Sequence, residues 1–283
     1  MIAIIGATGT TGKYLVQELA GKGVEFRCIV RDADRAREVL GDGVALATGD
    51  ISEPATVEAA CAGCDALFLL SPHNPALGQQ QSDAVDAAKR AGVTRIVKLA
   101  GMMTNADMRI PAQHAIAERY VEESGAAWTI IRPNFFMQNL LNTAGVVKGQ
   151  GKMMMPFDPE VPIGMIDARD TAAVCATVLT EDGYAGKLLE LTGGLVTLND
   201  CAAALTAVLG KEVPFVRAPL EIAQKMAAEN GAPDWAVEHI GNIALDIEAR
   251  TMSRDTGTVA EILGRPARTI AGFFDDHAAQ FRT

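Results

Sequence analysis

The 283-residue sequence predicts an α/β fold: a doubly wound parallel sheet with a smaller C-terminal α/β lobe. Three observations carry that reading. Short apolar runs alternate with amphipathic stretches throughout the first half, the rhythm of βαβ units. A glycine-rich turn, Gly6-Ala7-Thr8-Gly9-Thr10-Thr11-Gly12, joins the first apolar run to the first amphipathic one. Gly21, Gly23, Gly92 and Gly125 fall at the ends of helical stretches, where a left-handed cap is needed.

Taken in order, strands are expected near Ile2–Ile5, Glu25–Val30, Ala45–Thr48, Ala66–Leu70, Arg95–Leu99 and Trp128–Ile131. Helices are expected between them, over Thr11–Lys22, Ala33–Leu40, Glu53–Ala60, Gln80–Ala91 and Gln113–Glu123. After Pro133 the rhythm becomes irregular. Met153–Phe157 reads as a short strand, Asp170 as the cap of a helix over Thr171–Leu179, Lys187–Leu191 as a strand and Leu198–Leu209 as a helix. Residues 1–133 therefore form the expected first domain, with a later segment (about 160–195) returning to it, and residues 134–283 a smaller, mostly helical lobe that supplies a substrate pocket.

Composition narrows the function. A formal charge of −10 with no basic run excludes binding to a nucleic-acid backbone. No apolar stretch approaches the ~20 residues of a membrane helix, and no leader precedes Met1-Ile2-Ala3-Ile4-Ile5, so a cytoplasmic protein is expected. Five cysteines, an odd number, suit a reducing compartment. Cys61 and Cys64 have redox-motif spacing, but they straddle a helix end and a strand start. No zinc ligand set accompanies them, and no metal site is expected.

The turn lies where a dinucleotide would bind. It follows a strand and opens a helix, so Gly6 takes the tight bend, Gly9 lets backbone N–H groups reach a pyrophosphate and Gly12 allows close helix–sheet packing. Thr8, Thr10 and Thr11 complete the cradle of this Rossmann turn. Arg31, directly after the second strand, is a cation suited to a ribose 2′-phosphate, which selects NADP(H) over NAD; the competing reading gives the ribose to Asp32. Asp50, with Ile51, stands at the adenine end or caps the next helix, and the backbone of Leu70-Ser71-Pro72 lines the nicotinamide ribose.

These residues, with His114-x-x-x-Glu118, the run Thr129 to Asn139 (TIIRPNFFMQN), Asp167 to Ala172 (DARDTA) and Gly264-Arg265-Pro266, resemble the NmrA-like group of atypical short-chain dehydrogenases/reductases. That group includes NADPH-dependent quinone and dye reductases and a redox-sensing regulator. The resemblance also shows a loss. Conventional relatives use Tyr-x-x-x-Lys, whereas the matching helix here carries His114 and Glu118, and Ser124 stands four residues after Tyr120. Ketone reduction by that pair is excluded. A quinone or conjugated dye needs less acid assistance, with His114 or water completing protonation; His114 is otherwise a core or ribose-contacting residue. Asn134 and Phe135 are assigned to the cofactor, and Phe136 and Met137 with Met102 to a small-molecule electron acceptor. Met103 and the Met153-Met154-Met155 run add an adaptable wall or fill gaps. The competing function is an NADP(H)-sensing regulator acting through a protein partner.

Overall fold

The computed structural model describes residues 1–102 and 107–282. The chain opens with β1 (Ile2–Ile5), α1 (Thr10–Gly21), β2 (Phe26–Val30), α2 (Ala33–Leu40), β3 (Leu46–Thr48) and α3 (Pro54–Cys61). It continues through β4 (Ala66–Leu69), α4 (Leu77–Arg90), β5 (Arg95–Leu99), α5 (Arg109–Glu123) and β6 (Ala127–Pro133). A 3₁₀ turn (Met137–Thr143), α6 (Ala144–Gln150), β7 (Met153–Met155) and β8 (Ile163–Gly164) follow. Next come α7 (Ala168–Thr180), β9 (Lys187–Leu191), β10 (Leu195–Val196), α8 (Leu198–Leu209) and β11 (Phe215–Arg217). Helices α9 (Leu220–Glu229), α10 (Asp234–Glu248), α11 (Thr258–Leu263) and α12 (Ile270–Phe281) end the described chain.

One compact unit comprises Met1–Pro133 and Ala168–Glu190. Its sheet has the order β3-β2-β1-β4-β5-β6-β9, and the pairs from β3 through to β6 are parallel. Both faces of such a sheet are covered, so its central strands are apolar throughout: every residue of β1 and β4 is buried. The chain order reverses between β1 and β4, which opens a crevice beyond their carboxyl ends. This is the doubly wound sheet expected from the sequence.

The second unit comprises Asn134–Asp167 and Leu191–Thr283. Its core gathers Phe135, Met137, Met153, Phe157, Phe273 and Phe274. Two short two-stranded ladders, β10-β8 and β11-β7, accompany its helices.

Of the boundaries that differ from expectation, three have local reasons. Helix α4 begins at Leu77 rather than Gln80, because Asn74 Oδ1 accepts the Ala76 N–H (2.8 Å) and turns the chain early. Helix α5 begins at Arg109 rather than Gln113. Pro111 lies in its first turn, where its missing N–H leaves no helical bond unmade. Asp170 does not cap a helix at Thr171: α7 starts at Ala168, and Asp170 is fully buried within its first turn.

Candidate active site at the carboxyl edge of the sheet

The glycine turn is held by close backbone approach. Gly6 has φ +84°, and a Cβ there would lie 2.5 Å from the Leu70 carbonyl oxygen. A Cβ on Gly12 would lie 2.0 Å from the Gly6 oxygen, so α1 starts almost in contact with the strand it follows. Gly9 is different. Its φ is −77°, and its Cβ would meet only the Gly6 oxygen, at 3.3 Å. No side chain among the described residues caps α1, and its first turn carries no acid. Thr8, Gly9 and Thr10 are exposed and Thr11 is buried. The N-terminal amides of a 12-residue helix thus meet no acid in its first turn, at an exposed turn lined by glycines and small threonines, which fits a pyrophosphate.

Beyond β2, Arg31 is exposed. Asp32 Oδ1 caps α2, accepting the N–H groups of Asp34 and Arg35 at 3.0 Å each. Arg37 pairs with Asp34 at 3.1 Å. Asp50 Oδ1 accepts the Ser52 N–H at 2.9 Å and the Ser52 hydroxyl at 2.7 Å. Those two bonds, and more weakly the charge of Arg31, hold its carboxyl below the usual range. It therefore forms a turn ahead of α3 rather than capping it, and lies within the field of Arg31. Ile51 packs on the core of its unit.

The exit of β4 leads inward to a buried polar chain. Leu70 is half-buried, Ser71 buried and Pro72 exposed. Ser71 Oγ accepts from Gln81 Nε2 on α4 at 2.8 Å, and Gln81 Oε1 accepts from Lys98 Nζ. Lys98 points from β5 into the interior with no exposed surface. Its Nζ lies 3.4 Å from His114 Nδ1, and His114 Nε2 lies 3.2 Å from His73 Nε2. His114 is buried, whereas His73, three residues past Leu70, is exposed. Burial, and to a lesser degree Arg132, pushes the Lys98 ammonium down to about 7, while Glu118 pulls the other way.

Glu118 is one turn beyond His114 on α5. It receives a two-pronged ion pair from Arg132 of β6, with Nε to Oε1 at 3.0 Å and Nη2 on Oε2. That pair accounts for an arginine at the end of a buried strand. It also engages both oxygens of the carboxylate whose charge acts on Lys98.

Other expected site residues are placed less openly. The Met102 N–H donates to the Pro133 carbonyl at 2.9 Å, and its side chain is half-buried; Met103 lies outside the described residues. In the second unit, Asn134 is buried, with Nδ2 donating to the Met252 carbonyl and Oδ1 accepting the Phe135 N–H. Phe135 packs edge-on against Phe157 (6.0 Å, 87°), and Met137 is in the same core. Phe136 is half-buried. Met153 is core and Met155 packs against it, so two of the three methionines fill interior volume.

Sequence reading overlooked Lys98 and Gln81. The signal was present: a lysine inside Ile96-Val97-Lys98-Leu99 interrupts a strand that a parallel sheet buries on both faces. All five cysteines are buried and free, and burial raises Cys61 to about 12 and Cys64 above its ordinary value. No cluster of metal-binding side chains occurs among the described residues, and none of their helices is long and apolar enough to cross a membrane.

The family model described as the NmrA-like family matches residues 1–256. An NAD(P)H azoreductase of Xenophilus azovorans is 36% identical over 284 residues, covering 99% of each chain. A (4-alkanoyl-5-oxo-2,5-dihydrofuran-3-yl)methyl phosphate reductase of Streptomyces griseus is 30% identical over 99% of each. Among solved structures, the NADPH-dependent quinone oxidoreductase of Escherichia coli complexed with NADPH superposes with a TM-score of 0.86 at 27% identity, over 99% of this chain and 100% of that one.

Proposed function

The chain belongs to the NmrA-like family, and from that membership we propose that it is an NADPH-dependent oxidoreductase acting on a quinone-like or other conjugated electrophile. The observation that carries the reading is the Gly6–Leu70 contact at the β1/β4 crevice together with the imidazole pair three residues further along the same edge. One element of chain then borders both the cofactor turn and a titratable proton carrier. The names of the three relatives support the substrate class: an azo compound, an alkanoyl-oxo-dihydrofuran and a quinone are all conjugated acceptors.

NADPH, when bound, supplies the hydride. The backbone of Gly6, Thr8, Gly9, Thr10, Thr11 and Gly12 holds the pyrophosphate, and Arg31 pairs with the 2′-phosphate. Asp50 and Ile51 border the adenine, and Leu70, Ser71 and Pro72 the nicotinamide ribose. In the first unit, half-buried Met102 is the side chain assigned to the acceptor; Phe136, in the second, is half-buried as well. The buried side chains of Asn134, Phe135 and Met137 act by setting the path of the chain. No tyrosine–lysine acid is needed, because hydride addition to an extended π-system leaves a delocalised anion that a weak acid protonates.

The test is acceptor-dependent loss of NADPH absorbance across quinones, azo dyes and unsaturated lactones, with NADH in parallel. Turnover that prefers NADPH supports the reading. Tight NADP(H) binding with no turnover on any acceptor overturns it.

A further inference from the structure

We propose that Lys98, His114 and His73 form a proton relay from the interior of the sheet to its carboxyl edge, delivering the proton that follows hydride to the acceptor. The inference rests on the reductase reading and adds to it a proton source that the fold keeps out of solvent.

The geometry is continuous. Lys98 Nζ, His114 Nδ1, His114 Nε2 and His73 Nε2 are spaced at 3.4 Å and 3.2 Å on either side of one imidazole. An ammonium has donors only, so Gln81 must turn its carbonyl oxygen toward Lys98 and its amide nitrogen toward Ser71, as found. The same reasoning assigns the tautomers. Lys98 donates to Nδ1 of His114, whose proton then sits on Nε2 and faces Nε2 of His73.

A fully buried lysine is costly unless a carboxylate neutralises it. Here no carboxylate among the described residues pairs with it: Glu118 is engaged by Arg132, and Lys98 rests on a neutral amide and an imidazole. The groups facing it are Gln81 from α4, His114 and Glu118 from α5 and Arg132 from β6. Burial brings its affinity for a proton down to about 7, so it gives up a proton to a neighbouring imidazole far more readily than an exposed lysine would. A surface lysine would hold its proton too tightly to pass it on.

The step balances as a proton transfer. The acceptor, having taken a hydride, carries one negative charge. A proton leaves His73 for it, His73 Nε2 takes one from His114 Nε2, and His114 Nδ1 takes one from Lys98 Nζ. Lys98 is left as a neutral amine and reloads from solvent through exposed His73. Lys98 and His114 are positioning residues; only His73 is placed to meet the acceptor or its solvent.

The test compares the full-length wild-type protein with Lys98→Met and His73→Leu, using NADPH and a quinone across pH 5.5–9. Because Lys98 delivers only while protonated, wild-type kcat is expected to fall as pH rises through about 7. In Lys98→Met that limb disappears and kcat drops about tenfold with KM for NADPH unchanged. Nitrogen NMR of the imidazoles, without cofactor, supplies a second reading: His114 is expected as the Nε2–H tautomer, changing in Lys98→Met. Unchanged kcat and pH profile in Lys98→Met, or unchanged His114 resonances, overturn the relay alone. Absence of wild-type turnover on any acceptor overturns the reductase reading and the relay with it.

Discussion

Gly12 approaches Gly6 so closely that any side chain at position 12 would be driven into the Gly6 carbonyl, 2.0 Å from its Cβ. Gly9, in the same turn, is less confined: its Cβ would meet the Gly6 oxygen at 3.3 Å, a tight contact that a shift of a few tenths of an ångström relieves. The two glycines therefore separate folding from binding. Gly12→Ala is expected to cost about 3 kcal/mol, because the obstacle is backbone that cannot rotate away. Gly9→Val is expected to remain folded and lose NADPH binding. Thermal unfolding and calorimetry distinguish them, and normal NADPH binding by a folded Gly9→Val removes the turn from the cofactor site.

Arg31 is exposed beside a carboxylate, Asp50, that it helps keep ionised. Reversing its charge in Arg31→Asp places a third acid near Asp32 and Asp50. Affinity for NADPH should fall at least tenfold more than affinity for NADH, about the value of one charge-assisted bond. Equal losses for both cofactors mean that Arg31 does not contact the 2′-phosphate.

Lys98 also ties stability to pH. Its folded value of about 7 lies below the roughly 10.4 of an unfolded lysine. Below pH 7 both states are protonated and the folded state bears the whole burial cost. Between 7 and 10.4 the unfolded state binds more protons, so stability rises with pH, by at most about 5 kcal/mol. Buried thiols act oppositely above pH 9, since Cys28 and Cys61 stay protonated to about 12 when folded. The difference between Lys98→Met and wild type isolates the lysine: the variant's advantage should be largest at pH 6 and shrink toward pH 10. A pH-independent difference in urea titrations contradicts this.

The Glu118–Arg132 pair joins α5 to β6, with Glu118 buried and 19% of the Arg132 side chain exposed. Glu118→Gln should destabilise by about 2–3 kcal/mol, less than a wholly buried pair, since Arg132 regains some water. It should also lower the Lys98 value further, because the negative field opposing burial is gone. A loss below about 0.5 kcal/mol at neutral pH would make the pair ornamental.

The thiols of Cys61 and Cys64 are buried and raised, so a disulfide reagent should label neither in the native protein and both after unfolding. Rapid native labelling restores the redox-motif reading.

The outline of the sheet was legible because its signals are local. Arg95–Leu99 and Ala33–Leu40 are read at their observed ends, since the alternation of apolar and amphipathic runs that marks them is sequence-adjacent. The early start of α5 was hidden because Pro111 has opposite meanings inside a helix and in its first turn. The proton chain was hidden for a different reason. Ser71, His73, Gln81, Lys98 and His114 lie on β4's exit, α4, β5 and α5, and only the winding of the sheet brings them into line. A lysine within a buried strand marks such a place, but the sequence does not say which residues meet it.

Helix α7 packs on α1, and β9 lies next to β6 in the sheet, although residues 134–167 intervene in the chain. A ribosome that has released only the first 133 residues has therefore produced a sheet with β6 as an open edge and α1 without its neighbour. Such an edge invites strand pairing with other chains until it is covered. The first unit closes only after residue 190 has emerged, by which time part of the second has already been made. The two units are thus interleaved in time as well as in sequence, and a cut at Pro133 separates the first unit from its own Ala168–Glu190 segment.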